Sequence, residues 1–389
     1  MTITEYCTGC RACEQLCPKR CISMKSNKEG FLVAEIDENV CIHCGLCQKR
    51  CPQNQLSEKH RPIKALAVRY KDNESLKNSA SGGAFIAMAH RFVKQGGTVF
   101  GAAYLEDWKV GHVAVHDGAD LYRLQGSKYV QCDTQHTYSE VKALLEDGKQ
   151  VLYSGTPCQI GGLRAFLRKD YGNLLTIDLI CHGVASPKLF QKYIEWLGKE
   201  TGGKILYYNF RDKAGGWGLG YRAKTKTKTK TKTKTANLDP YYYHFLKGDT
   251  YRECCYRCNY CTQERIGDIT VGDYWGIERE HPKFYSTKGV SVVLLNTDKA
   301  LSLLERVKDV FYIQESTFEK AAKKNHNLLS PTPRPQVRNS IYAHMEDMDT
   351  GTYFGTVLKT PNRLADRVKG SLPMRVKLIF KTIMSWLQY

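Results

Sequence analysis

Cys7-Thr8-Gly9-Cys10-Arg11-Ala12-Cys13-Glu14-Gln15-Leu16-Cys17-Pro18 follows the spacing C-x2-C-x2-C-x3-C-P, and Cys41, Cys44, Cys47 and Cys51-Pro52 repeat it unchanged. Three thiols at steps of three wrap a tight loop around one 4Fe–4S cube. The fourth lies too far along to close the same cube and, in two-cluster ferredoxins, ligates the other one. The duplication therefore predicts two 4Fe–4S clusters, one on Cys7, Cys10, Cys13 and Cys51, the other on Cys41, Cys44, Cys47 and Cys17. Zinc ribbons use two C-x2-C knuckles and need neither the third step nor the Cys-Pro, twice over. Cys21 fits neither run and reads as a small buried residue. His43, inside the second loop, reads as a surface residue.

These nine cysteines belong to a chain of 389 residues with sixteen in all; three more are scattered at Cys132, Cys158 and Cys181, and four crowd between Cys254 and Cys261. The first ten residues carry no basic stretch leading into an apolar core, and no apolar run approaches the length of a membrane span. Free thiols in a reducing cytoplasm, bound to metal, are the expectation rather than a disulfide scaffold. The formal charge of +19 invites a nucleic-acid partner. Six of the lysines, however, stand in one Lys-Thr repeat from Lys224 to Thr235, and each cluster with four thiolates carries roughly −2. The loaded protein is then moderately basic. The repeat lacks the interleaved aromatics on which single strands stack, so a surface excursion is expected and nucleic acid is not.

Beyond a polar connector (Gln53 to Pro62) strand-like and helix-like runs alternate. They fall at Lys64–Tyr70, Ala84–Lys94, Thr98–Tyr104, Tyr138–Glu146, Val151–Ser154, Leu163–Lys169, Leu174–Ile180 and Pro187–Lys199. The alternation predicts an α/β domain on a largely parallel sheet, with ligands at the carboxyl ends of its strands. Ser79-Ala80-Ser81-Gly82-Gly83 heads an apolar helix, where free amides suit a phosphate although such caps also serve plain helices. Ser154-Gly155-Thr156-Pro157-Cys158-Gln159 follows one strand, and Cys181-His182-Gly183 ends another. Two cysteines at strand ends of one sheet point to a shared site.

Cys254-Cys255-Tyr256-Arg257-Cys258-Asn259-Tyr260-Cys261 reads in two ways. Cys254, Cys258 and Cys261 match the C-x3-C-x2-C triplet of radical SAM enzymes, but two thirds along the chain rather than early in a barrel. Alternatively Cys255 and Cys258 form one C-x2-C, and Cys158 and Cys181 complete a third cluster from distant loops.

Taken together, the two Cys-Pro runs, Ser79–Phe85, Gly126–Gln131, Ser154–Leu163, Asp178–Gly183, Cys255–Cys258 and Gly267–Gly276 stand in an order that resembles the coenzyme F420 hydrogenase/dehydrogenase beta-subunit family. The likeness is to the bacterial form with a fused N-terminal ferredoxin and covers roughly residues 1 to 325. It implies FAD in the α/β domain with a 4Fe–4S cluster beside it. By motif, Ser81, Gly82 and Gly83 would hold flavin phosphate, Lys128 and Gln131 flavin polar groups, and Thr156, Pro157 and Gln159 would line the ring. Cys158, Cys181, Cys255 and Cys258 would hold the third cluster. Cys132 stands where the motif more often has Ser. No deazaflavin-binding residue is identified, so coenzyme F420 itself is not assigned.

His182 reads as a proton donor or, more often for such a residue, a second hydrogen-bonding shell to the cluster. Asp268 and Asp273 read as turn caps or flavin contacts. The expected organisation is a two-cluster ferredoxin-like α+β domain (1–58), an α/β flavin domain (59–325) and a helical C-terminal extension (326–389). In that extension, Pro373 to Tyr389 is expected to pack on the body; a basic amphipathic segment on a membrane surface is the lesser reading. The function expected is a cytoplasmic iron–sulfur flavoprotein oxidoreductase. It would pass single electrons between a ferredoxin-like carrier or redox partner subunit and a flavin that exchanges hydride with a small-molecule substrate. The alternative is a non-catalytic electron-relay subunit of a larger complex.

Overall fold

The computed structural model describes residues 3–218, 222–361 and 364–386. Its first element is a small hairpin, β1 (Ile22–Ser26) against β2 (Leu32–Ile36), flanked by the short helices Ala12–Leu16 and Leu46–Lys49, one in each cysteine run. The main body holds β3 (Lys64–Tyr70), β4 (Thr98–Tyr104), β5 (Val110–Val115), β6 (Val151–Gly155), β7 (Leu174–Leu179), β8 (Tyr207–Asn209), β9 (Arg222–Lys226), β10 (Thr231–Thr235), β11 (Ile269–Asp273), β12 (Ser291–Leu295) and β13 (Phe311–Ser316). Eight of these form one sheet in the order β13-β3-β12-β11-β7-β6-β4-β5.

The sheet is mixed rather than largely parallel. β4, β6, β7 and β11 run parallel, while β5 on one edge and β12, β3 and β13 on the other pair antiparallel. Direction is unreadable from the sequence because both faces are covered, so strands of either sense carry continuous apolar runs. Alternate side chains serve opposite layers: Leu66 and Val68 of β3 join the core under helices Ala84–Lys94 and Asp298–Val307, whereas Ala65 and Ala67 join Tyr274, Ala321 and Leu328. Val99 and Phe100 divide in the same way between the first core and one built on Tyr138, Ile160 and Leu163.

The Lys-Thr repeat forms the hairpin β9–β10, with β8 beside it. Its register sets Thr231 opposite Lys226, Lys232 opposite Thr225 and Thr233 opposite Lys224, so no lysine faces another directly across the ladder at these pairs. A one-residue slip would oppose like charges, which is destabilising. The expected boundary at residue 325 is not a break in packing. Ile341, Tyr342, Tyr353 and Phe354 lie in one aromatic core with Phe190, Tyr193 and Tyr241. Contrary to the expectation that helix Met374–Trp386 packs on the body, Ile379 and Ile383 stay exposed; the last three residues of that segment lie outside the described ones. No helix among the described residues is long and apolar enough to cross a membrane.

Candidate iron–sulfur and flavin sites

All sixteen cysteines are free thiols. The stepped spacing brings Cys10 and Cys13 within electrostatic reach of Cys7 and also of Cys51, the last cysteine of the second run. Cys17, in turn, lines a hollow with Cys41, Cys44 and Cys47, closed by Ile22, Ile36, Ile42 and Leu46. The exchange of fourth cysteines expected from the spacing is therefore the grouping found. Cys21 is buried as expected, but it also lines this hollow, its Sγ 3.4 Å from that of Cys17. Exposed His43 sits apart from it.

Ionic and polar contacts dock this module on the α/β body. Arg11 pairs with Asp133, Thr134 Oγ1 donates to the Cys10 carbonyl at 3.1 Å, and Arg338 grips Glu29 through two bonds of 2.8 and 2.6 Å. Gln131 belongs to the same interface: its Oε1 accepts from Leu32 N at 2.9 Å and its Nε2 donates to Thr8 O at 3.3 Å. That placement corrects the expectation of a flavin contact, because both ends of the amide are taken by the module.

At the carboxyl edge of the sheet, β6 turns directly into helix Pro157–Leu167. Thr156 N donates to Gln159 Oε1 at 2.9 Å and Pro157 opens the helix, a capping arrangement that fixes Cys158 in the first turn. Gln159 Nε2 donates to the Cys132 carbonyl at 3.0 Å, so this side chain too is spent on the fold rather than on a ring. β7 ends beside it and delivers Cys181. The turn Glu253–Arg257 brings in Cys255, with Cys258 just beyond. Cys158, Cys181, Cys255 and Cys258 lie within electrostatic reach of one another. Cys254 is coupled to Cys255, and Cys261 to Cys258. Burial and mutual repulsion push the Cys158 and Cys255 thiols well up, and Cys181 up to about 12. So many crowded thiols are costly unless a cationic centre holds them as thiolates, and the set is chemically suited to iron. The open sheet offers no barrel for the radical SAM reading of Cys254, Cys258 and Cys261.

Arg265 underlies this set and escaped the sequence reading. It is fully buried, 3.4 Å from the equally buried Asp178, and donates to the carbonyls of Tyr260 (2.9 Å), Thr262 (3.3 Å) and Leu179 (3.2 Å). One guanidinium thus ties the cysteine loop to the end of β7, and its charge lowers the cost of a thiolate at Cys181 and Cys258. Helix Pro157–Leu167 also contains Gly161 and Gly162, a pair that costs about 1 kcal/mol each against Ala in a helix interior. The reason is space: a Cβ on Gly161 would stand 2.3 Å from Tyr260 Oη, and one on Gly162 3.0 Å from Cys10 Sγ.

The loop Ser79–Gly83 lies at the same edge, but its polar atoms serve the sheet. Ser81 Oγ donates to Val290 O at 2.9 Å, Gly82 N donates to Ser291 Oγ at 2.9 Å, and a Cβ on Gly82 would lie 2.4 Å from Val68 O. The expected phosphate contacts of Ser81 and Gly82 are therefore already partnered within the fold. Gly83 heads helix Ala84–Lys94 with φ of 77°. Lys128 Nζ donates to Gln125 O at 2.9 Å and Arg123 O at 3.1 Å, which turns it away from a ligand role as well.

Against this loop sits a cavity of about 200 Å³ lined by Arg211, Asp212, Lys213, Trp217, Arg222 and Trp275. Arg211 Nη1 donates to Asp273 Oδ2 at 2.8 Å and its Nη2 to Ala80 O at 3.2 Å; Lys213 Nζ donates to Ser81 O at 2.9 Å. Trp217 and Trp275 stack with centroids 5.1 Å apart. His182 lies beside the Arg211–Asp273 pair, its pKa lowered by burial and raised in part by Asp273. Asp273 therefore faces a pocket, whereas Asp268 is structural, accepting from Thr176 N (2.8 Å), Thr176 Oγ1 (2.6 Å) and Thr297 Oγ1 (2.9 Å). Cys132 is buried with its Sγ 3.2 Å from His112 Nδ1.

A doubled cysteine module, docked on an α/β sheet whose carboxyl edge gathers further thiols, defines an iron–sulfur electron-transfer protein. Residues 6–55 match the family model for the 4Fe-4S dicluster domain, and residues 148–321 match the model for the C terminus of the coenzyme F420 hydrogenase/dehydrogenase beta chain. This protein thus carries the beta-subunit domain of that oxidoreductase family behind a dicluster iron–sulfur module. Among solved structures it is similar to a chain in the xenon-derivatised F420-reducing [NiFe] hydrogenase complex from Methanosarcina barkeri. There the identity is 17% and the TM-score 0.46, with 78% of this chain and 98% of that one covered. No curated protein matches.

Proposed function

We propose that this chain is a flavin-dependent iron–sulfur oxidoreductase with three 4Fe–4S clusters. Two would sit in the N-terminal module, and the third on Cys158, Cys181, Cys255 and Cys258. A ferredoxin-like carrier or partner subunit would exchange single electrons with the module, in a reducing cytoplasm. A flavin, taken as FAD, supplies the exchange of a hydride for single electrons when bound.

The observation that carries this reading is the adjacency of four convergent thiols and a cationic, tryptophan-lined cavity at one sheet edge. Within it, Lys213 and Arg211 would meet a phosphate near Ser81, Gly82 and Gly83, with the amides at the head of helix Ala84–Lys94 adding their dipole. Trp275 would flank the ring, and Asp273 fixes both Arg211 and Trp217, whose Nε1 donates to Asp273 Oδ1 at 2.6 Å. Thr156 and Pro157 hold Cys158 in place rather than touching the ring. His182, next to Cys181 and facing the Arg211–Asp273 pair, is the residue we assign to flavin or substrate contact.

The test is anaerobic purification followed by extraction and identification of the chromophore, and reduction of the bound flavin by a reduced ferredoxin. One FAD per chain, reduced by ferredoxin and lost in Lys213→Glu, supports the reading. Material without extractable flavin overturns it in favour of an electron relay within a larger complex.

A further inference from the structure

The first cysteine set and the carboxyl-edge set are packed against each other. Cys10, Cys158 and Cys258 rest on the same buried cluster, together with Ala12, Ile160, Leu163 and Tyr260. Residues 158 and 162 are four apart on one helix, hence on one face and about 6 Å apart along its axis. Gly162 is the point where Cys10 touches that helix.

Tyr260, between Cys258 and Cys261 in the chain, is buried and its phenol end packs on Gly161. Its hydroxyl reaches back 3.4 Å to the carbonyl of Pro52, the neighbour of Cys51. Its ring lies within electrostatic reach of Cys158 and Cys258 on one side and of Cys10 and Cys51 on the other. Arg252, two residues before Cys254, donates to the Cys7 carbonyl at 2.8 Å. Three strands of contact thus join the two sets: Cys158 through Gly162 to Cys10, Cys258 through Tyr260 to Cys51, and Cys254 through Arg252 to Cys7. The set of Cys17, Cys41, Cys44 and Cys47 instead lines its own hollow.

We infer that Tyr260 is a positioning residue: its ring fills the gap between the first cysteine set and the carboxyl-edge set and holds them at electron-exchange distance, with Gly161 and Gly162 giving the room. The inference rests on the proposed third cluster. The ring rather than the hydroxyl carries the role, since 3.4 Å is long for an O–H···O bond.

The test uses the full chain, purified anaerobically and reduced with dithionite, as wild type, Tyr260→Phe and Tyr260→Ala. Iron is counted first. About twelve irons per chain means all three sets are loaded, whereas about eight in the wild type removes the third cluster and this inference with it. With twelve present, electron paramagnetic resonance of wild type and Tyr260→Phe shows the broadening of two spin-coupled clusters, and Tyr260→Ala loses it. If Tyr260→Ala fails to load iron, Tyr260→Leu, which keeps apolar bulk without a ring, reads the same loss. Coupling that is absent in the loaded wild type, or unchanged in the loaded Ala or Leu variant, overturns the positioning role while leaving the third cluster standing.

Discussion

Arg265→Met is the substitution whose cost is best fixed by the geometry. The side chain is fully buried, paired with a carboxylate that is itself inaccessible, and Asp178 Oδ1 already has no hydrogen-bond partner. Removing the guanidinium leaves Asp178 charged in a dry interior and strips partners from the carbonyls of Tyr260, Thr262 and Leu179 and from Thr270 Oγ1. Breaking one partner out of a buried pair costs about 3–5 kcal/mol, and the orphaned carbonyls push toward the upper end. Removing both charges is far less damaging, because the desolvation penalty goes with them. Anaerobic urea unfolding of Arg265→Met should show a loss of about 4 kcal/mol, and iron per chain should fall toward the content of the N-terminal module alone. Arg265→Met/Asp178→Leu should recover about half or more of the lost stability. A single variant within about 0.5 kcal/mol of wild type, or a double variant no better than the single one, would refute the argument that a compensated charge organises this loop.

Cys255→Ala should lower iron from about twelve to about eight per chain, whereas Cys254→Ala leaves the count unchanged; the reverse result would place the ligand at Cys254. His112 is buried and neutral, pushed down to about 4 by desolvation against an ordinary value of 6.5. The unfolded chain therefore binds the extra proton between pH 6.5 and 4, and stability falls on acidification by up to about 3 kcal/mol across that window. Denaturation midpoints of wild type and His112→Phe should converge as pH falls through it; parallel curves would count against the shift. Arg338→Met should free Glu29 and raise protease cutting in the 53–62 connector without changing iron content, and unchanged cutting would mean the other docking contacts suffice.

What can be read in advance is set by spacing and period. Two thiol runs in step leave little else to build, and the Ala84–Lys94 helix and the Lys64–Tyr70 and Thr98–Tyr104 strands fall at the expected residues. Strand sense is hidden, because β12 and β11 are equally apolar whichever way they run. Polar residues in motif loops mislead for one physical reason: Gln131, Gln159 and Ser81 satisfy backbone groups of this same chain, and nothing in their spacing distinguishes that from holding a ligand. Arg265, Arg252 and Tyr260 act through partners more than eighty residues away in several cases, such as Leu179, Leu32 and Pro52, so no local pattern marks them. The legible clue that went unused is Gly161-Gly162, two helix-weakening residues inside an apolar helical run, which signals a close neighbour.

The central claim is that the thiols form three iron-binding sets on one chain. Quantifying iron and acid-labile sulfide together on anaerobically prepared protein tests it most directly. The account predicts about twelve of each per chain; a count of about eight, unchanged in Cys181→Ala, contradicts it.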